Sequence, residues 1–135
     1  MDLQILKDLT SEILVSMFYL NPETQPDTII PKLHYAVSIS TDNVEFIMMF
    51  CQKTAHMMAE NFMGTDDITE TDIQDTLKEA INIIIGNYIG QEYPESSVKI
   101  PIPVMIKNLN TINIDLYEKI ILYYNEEPVQ ILKKK

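Results

Sequence analysis

The chain has 135 residues, 46% apolar and 22% charged, with 20 acidic against 10 basic side chains and a formal net charge of −10. That length supports a core and one domain of ordinary size, and the sign of the charge argues against a nucleic-acid binder, whose surface must neutralise phosphates. The lone cysteine, Cys51, excludes an internal disulfide and a cysteine-rich zinc site. No run reaches the roughly 18 apolar residues of a membrane span, and the opening residues lack a basic start followed by an apolar core. A cytoplasmic protein without membrane insertion is expected.

In chain order, Leu3, Leu6, Leu9, Ile13, Met17 and Phe18 keep helical spacing, which predicts a helix over residues 2–20 that Asn21-Pro22 stops. Residues 22–31 carry three prolines and read as a loop or a short edge strand. Residues 32–40 alternate, with Leu33, Tyr35, Val37 and Ile39 on one face and His34 on the other, and predict a strand. Asp42 and Glu45 have the spacing of a capping box, so a second helix is expected over residues 43–63, with Gly64 as its C-cap and Cys51 as a small core residue. The methionines on this stretch read as adaptable core.

Thr69 and Asp72 open a third helix, over residues 70–90, again at capping-box spacing although with aspartate in place of the usual glutamate or glutamine. Beyond it, Pro94, Pro101, Pro103 and Pro128 exclude a long helix, and the apolar residues become β-branched and alternating. Strands are expected within residues 98–133: at 102–107, at 109–115, at 117–124 and at 129–132, with Glu126-Glu127 in a turn. Clustered helices followed by several strands predict an α+β fold, helices packed on an antiparallel sheet.

The third helix carries two patterns at once. Ile73, Leu77, Ala80, Ile81, Ile84 and Tyr88 form a broad apolar stripe. Asp75, Glu79, Asn82 and Gly86, at i, i+4, i+7 and i+11, form a polar row on the other side. Spacing alone fits a solvated helix face with a glycine for close packing better than a working face. Asn82 pulls the other way, because asparagine is a poor helix former.

Other chemistries find little to use. His34 and His56 belong to no HxxxH, HExxH or nucleophile-elbow pattern. Gly64, Gly86 and Gly90, the only glycines, build no phosphate loop. No local segment supplies enough converging oxygens for a metal site of its own.

Asp75-x3-Glu79-x2-Asn82, followed by Gly86-Asn87 and by Pro103 in the segment IPIPVMIKN, resembles the signature helix of the CheC/CheX/FliY family of chemotaxis phosphatases. The preceding stretch, HYAVSISTDNVEFIMMFCQKTAHMMAENFMG, resembles that family's strand and the helix after it. With one such helix rather than two, the chain is similar to CheX. The resemblance implies a single CheX-like domain over residues 1–135 that dephosphorylates a phosphorylated CheY-type receiver domain in two-component signalling. It gives Asn82 the role of orienting the attacking water and Glu79 that of pairing with a receiver lysine. Asp75, Gly86, Asn87 and Pro103 support the site. It further implies no cofactor of its own, Mg²⁺ being held by the partner receiver, and a homodimer, for which residues 117–124 and the last strand are candidate pairing edges. A CheX-like domain that docks on a receiver or scaffold without catalysis is the alternative.

Overall fold

The computed structural model describes residues 3–23, 32–41, 44–92, 102–125 and 127–135. The chain forms α1 (Leu3–Ser16), a two-residue strand β1 (Pro22–Glu23), β2 (Leu33–Ser40), β3 (Glu45–Cys51), α2 (Gln52–Met63), α3 (Glu70–Glu92) and β4 (Val104–Ile106). Two 3-10 turns (Leu109–Thr111 and Ile114–Leu116) precede β5 (Tyr117–Tyr124) and β6 (Glu127–Lys134). The strands make one antiparallel sheet in the order β1-β5-β6-β3-β2-β4, with three helices packed on it, the α+β architecture that the element pattern predicts.

The pleat explains the layering, since alternate residues of a strand face opposite ways. Val37, Ile39, Phe46, Met48, Phe50, Val129 and Ile131 face the helices and meet Leu6, Ile13 and Leu14 of α1, Ala55, Met58 and Ala59 of α2, and the apolar stripe of α3. Each large side chain so buried contributes about 1.5–3 kcal/mol. On the other face Ala36, Ile47, Met49 and Leu132 form a second, smaller cluster, with Leu109 and Ile112 packed against it. The segment of 3-10 turns therefore covers that face on its way from β4 to β5.

Several expectations need correction. The helix expected over residues 43–63 is β3 followed directly by α2, which starts at Gln52. All residues from Phe46 to Cys51 are buried, because β3 lies between β2 and β6 with both faces covered. A strand covered on both sides has an unbroken apolar run, and such a run does not separate strand from helix by period. Asp42 lies outside the described residues; beside it the Thr41 hydroxyl takes the Val44 N–H, at 3.1 Å, at the mouth of the β2–β3 hairpin.

The first helix stops at Ser16 rather than near residue 20. Tyr19 turns the chain with a positive φ of 57°, and Phe18 and Leu20 reach the core from that turn. The strand expected over 109–115 is the pair of 3-10 turns. Asn108 and Asn113 cap them, each side-chain oxygen accepting the N–H two residues on, a local bond that competes with a ladder.

Finally, Glu127 opens β6 rather than lying in a turn; it is buried and accepts a 2.5 Å bond from the Thr54 hydroxyl. Asn125, at φ 51°, makes the tight reversal before it. β6 sits inside the sheet, between β5 and β3, so it offers no pairing edge. Expectations for residues 24–31, 93–101 and Glu126 fall outside the described residues.

Other readings hold. Gly64 caps α2 with a left-handed φ of 71°, its N–H on the Glu60 carbonyl at 2.9 Å. Cys51 is buried, and burial, aided by Glu127, pushes its thiol up to about 11, well above the reactive range. Among the described residues no helix is long and apolar enough to cross a membrane.

Candidate functional site: the outward face of α3

Thr69 and Asp72 start α3 as a reciprocal box. The Asp72 carboxylate accepts the Thr69 N–H at 3.0 Å, and the Thr69 hydroxyl accepts the Asp72 N–H at 3.2 Å. Aspartate thus fills the place more often given to glutamate, satisfying two amide groups that a helix start leaves without partners. Glu70 and Asp72 also place negative charge at the positive end of the helix dipole.

From there the apolar stripe settles which way α3 faces. Ile73, Leu77, Ala80, Ile81, Ile84 and Tyr88 are all buried, and α3 packs against α1, α2, β2 and β4. Asp75 and Glu79 are consequently exposed, while Asn82 and Gly86 are half-buried. At about 100° per residue these four fall within roughly 60° of one another around the axis. Asn87 does not join them: it lies about 140° round from Asn82, exposed, and its amide donates to the Ile83 carbonyl at 2.7 Å.

Two contacts fix the direction of α3 over the sheet. The Tyr35 hydroxyl donates to Glu70 Oε2 at 2.9 Å, and Tyr88 meets Phe46 edge-to-face at 5.7 Å, Phe46 being the register partner of Ile39. The helix therefore runs from the Tyr35 end of β2 to its Ile39 end. Val104 pairs with Ser38, so half-buried Pro103, just before it, lies toward that same Ile39 end. The sheet register thus brings Pro103 and the later half of α3 to one end of the molecule.

Among the described residues no hydrogen bond or ion pair engages the side chains of Asp75, Glu79 or Asn82. Some acidic residues elsewhere are engaged, Glu70 by Tyr35 and Gln74, Glu45 by Tyr117, Glu127 by Thr54 and Glu60 by His56, whereas Asp66, Asp67 and Asp115, like the row, show no such bond among the described residues. The row is an acceptor-rich surface with one amide and a glycine, its polar side chains unengaged by any other described residue. Among the described residues no group of three or more His, Cys, Asp or Glu side chains could hold a metal ion.

The Tyr35–Glu70 bond was not foreseen. The alternation of β2 signals an inward Tyr35, but nothing local to Glu70 names its partner 35 residues away. Burial and then the Glu70 carboxylate push the Tyr35 hydroxyl up to about 12.

The family model described as chemotaxis phosphatase CheX matches residues 36–124. The chain belongs to the CheX family. The match runs from within β2 through β3, α2, α3 and β4 to the end of β5, so it includes the polar row and Pro103. Solved CheX structures share the fold. The chemotaxis protein CheX of Vibrio vulnificus superposes with a TM-score of 0.65 at 15% identity, over 97% of this chain and 93% of that one. The CheX–CheY–BeF3–Mg complex of Borrelia burgdorferi gives 0.66 at 17% identity, over 98% and 96%. CheX of Desulfovibrio desulfuricans gives 0.63 at 18%, over 96% and 95%. Among curated protein sequences none matches.

Proposed function

We propose that this chain accelerates hydrolysis of the phosphoaspartate of a CheY-type response regulator, with Asn82 orienting the attacking water and Glu79 docking on a regulator lysine. Membership of a family of chemotaxis phosphatases supports the reaction class. A solved CheX of the same fold in complex with CheY supports the kind of partner. The observation that carries the reading in this chain is the outward row on α3, whose polar side chains engage no other described residue while the opposite side of the helix is buried.

The chemistry asks little of such an enzyme. A water oxygen attacks phosphorus in line, the acyl-phosphate P–O bond breaks, and its electron pair leaves with the aspartate carboxylate as inorganic phosphate forms. The receiver, with its Mg²⁺, already supplies most of the charge stabilisation. What remains is to fix the water. The Asn82 amide suits that role, since its oxygen accepts from water and its NH₂ donates to a phosphoryl oxygen, adding no negative charge beside the phosphate. Glu79, nearly one turn earlier and exposed, can reach a lysine and set the register of docking. Asp75 extends the same surface, and Gly86 lets the receiver's backbone approach closely. Pro103 supports the site from the sheet, and Asn87, off the row, acts on α3 itself through Ile83.

In this reading a homodimer pairs through the outer edge of β4, where Ile102 and Val104 are exposed apolar side chains, at 85% and 59%. The decisive experiment is phosphate release from a phosphorylated CheY-type receiver with Mg²⁺, wild type against Asn82→Ala.

A further inference from the structure

At the Tyr35 end of β2, toward the start of α3, lies a hollow of about 370 Å³ between the start of β2, the start of α2 and the turn after β4. Register builds it. Leu33 pairs with Cys51, which sets Lys32 and His34 beside Gln52, and Ile106 pairs with Ala36, which brings Lys107 and Asn108 alongside from the other edge. We propose that this hollow binds a small multivalent oxyanion of the phosphate-ester class.

Charge makes the case. The chain carries 20 acidic side chains against 10 lysines, yet the hollow is lined by Lys32, Lys107 and His34, with no carboxylate among its described lining residues. Among the described residues neither lysine has an ion-pair partner; the ion pairs lie elsewhere, at His56–Glu60 and Lys133–Glu118. Two lysines with no ion-pair partner among the described residues, lining one concavity in so acidic a protein, favour a local field of the opposite sign. Neutral donors complete the lining: the amides of Gln52, Asn108 and Asn110. The Asn108 oxygen is already committed to the Asn110 N–H, which leaves its NH₂ to donate into the hollow. Helix α2 begins there without a side-chain cap, so its first N–H groups add positive potential.

Size and lining narrow the ligand. Ligand sites run from roughly 300 to 1,000 Å³, and this one, with only Leu33 and Leu109 as apolar floor, suits a small polar anion rather than an apolar molecule. One carboxylate adjoins it. Glu70 lines the neighbouring hollow that shares His34 and Lys107; its oxygens accept bonds from Tyr35 and Gln74, neutral donors that orient the carboxylate and leave its charge in place. Because Glu70 and Asn82 are about 18 Å apart along α3, the hollow is separate from the proposed catalytic face. Binding there does not depend on phosphatase activity.

The test is a ¹H–¹⁵N NMR titration of the full chain with inorganic phosphate at constant ionic strength, sodium chloride serving as control. Saturable shifts at the Gln52 and Lys53 amides and the Asn108 side chain are expected with phosphate and not with chloride. Lys32→Gln and Lys107→Gln, both at exposed positions, should each weaken binding about tenfold, as loss of a charge-assisted bond implies. The double variant should give an unchanged spectrum elsewhere and no measurable saturation. Shifts that follow ionic strength alone, or an affinity the double variant retains, would overturn the proposal.

Discussion

The hydroxyl of Tyr35 donates to Glu70 Oε2 at 2.9 Å, tying β2 to the first turn of α3. This bond joins the strand that organises the sheet to the helix that carries the polar row, and its loss should loosen the start of α3. Tyr35→Phe is expected to lower stability by about 1 kcal/mol, the net value of a typical hydrogen bond, read as a lower urea midpoint at pH 7.

The same pair gives an alkaline signature. The Tyr35 hydroxyl is raised from 10.0 to about 12 by burial first and by Glu70 second. Below pH 10 both folded and unfolded chains keep the proton, so the contribution is fully present. Between 10 and 12 only the unfolded chain releases it, so stability falls as pH rises through that window. Tyr117, bonded to Glu45 and also raised to about 12, acts in the same direction. Urea midpoints at pH 8 to 11 should therefore fall less steeply for Tyr35→Phe than for wild type. Parallel curves would show that Tyr35 does not titrate in this way.

Gly64 separates backbone strain from packing. A Cβ there would meet nothing within 4 Å, yet the residue sits at φ 71°. Gly64→Ala should thus cost about 1–2 kcal/mol from the left-handed conformation alone, seen as a lower thermal midpoint with no change in phosphatase rate at 25 °C.

Glu79 is exposed and engages no other described residue, so its removal should leave the fold untouched. Glu79→Ala is expected to raise the half-saturating receiver concentration about tenfold, close to 1.4 kcal/mol, and to flatten the salt dependence of the reaction. An unchanged concentration dependence would remove Glu79 from the docking surface.

Where sequence and structure agree, a local pattern was sufficient. The stripe from Ile73 to Tyr88 has one period and one solution, and Thr69–Asp72 and Gly64 mark helix ends through bonds made within a few residues. Where they part, the deciding partner is remote. Phe46 to Cys51 is a strand because β2 and β6 flank it and side chains cover both faces, a fact absent from its own residues. Leu109 and Ile112 alternate as a strand would, but Asn108 and Asn113 divert the backbone into caps. The row Asp75–Glu79–Asn82–Gly86 was legible as a face from spacing, and as a phosphatase motif only through resemblance. The cationic hollow around Lys32 and Lys107 was not legible, since its two lysines stand far apart in the chain and only the sheet register joins them.

The central claim rests on one amide. Replacing Asn82 with alanine should stabilise α3 by about 0.5 kcal/mol, alanine being the better helix former, so lost activity could not be blamed on unfolding. The most direct measurement is the rate of phosphate loss from a phosphorylated CheY-type receiver with Mg²⁺, with binding followed in parallel. The wild-type chain should accelerate loss, and Asn82→Ala should bind nearly as well while reducing the acceleration at least about a hundredfold. A variant that keeps most of the acceleration, or a wild type that binds without any, would contradict the account.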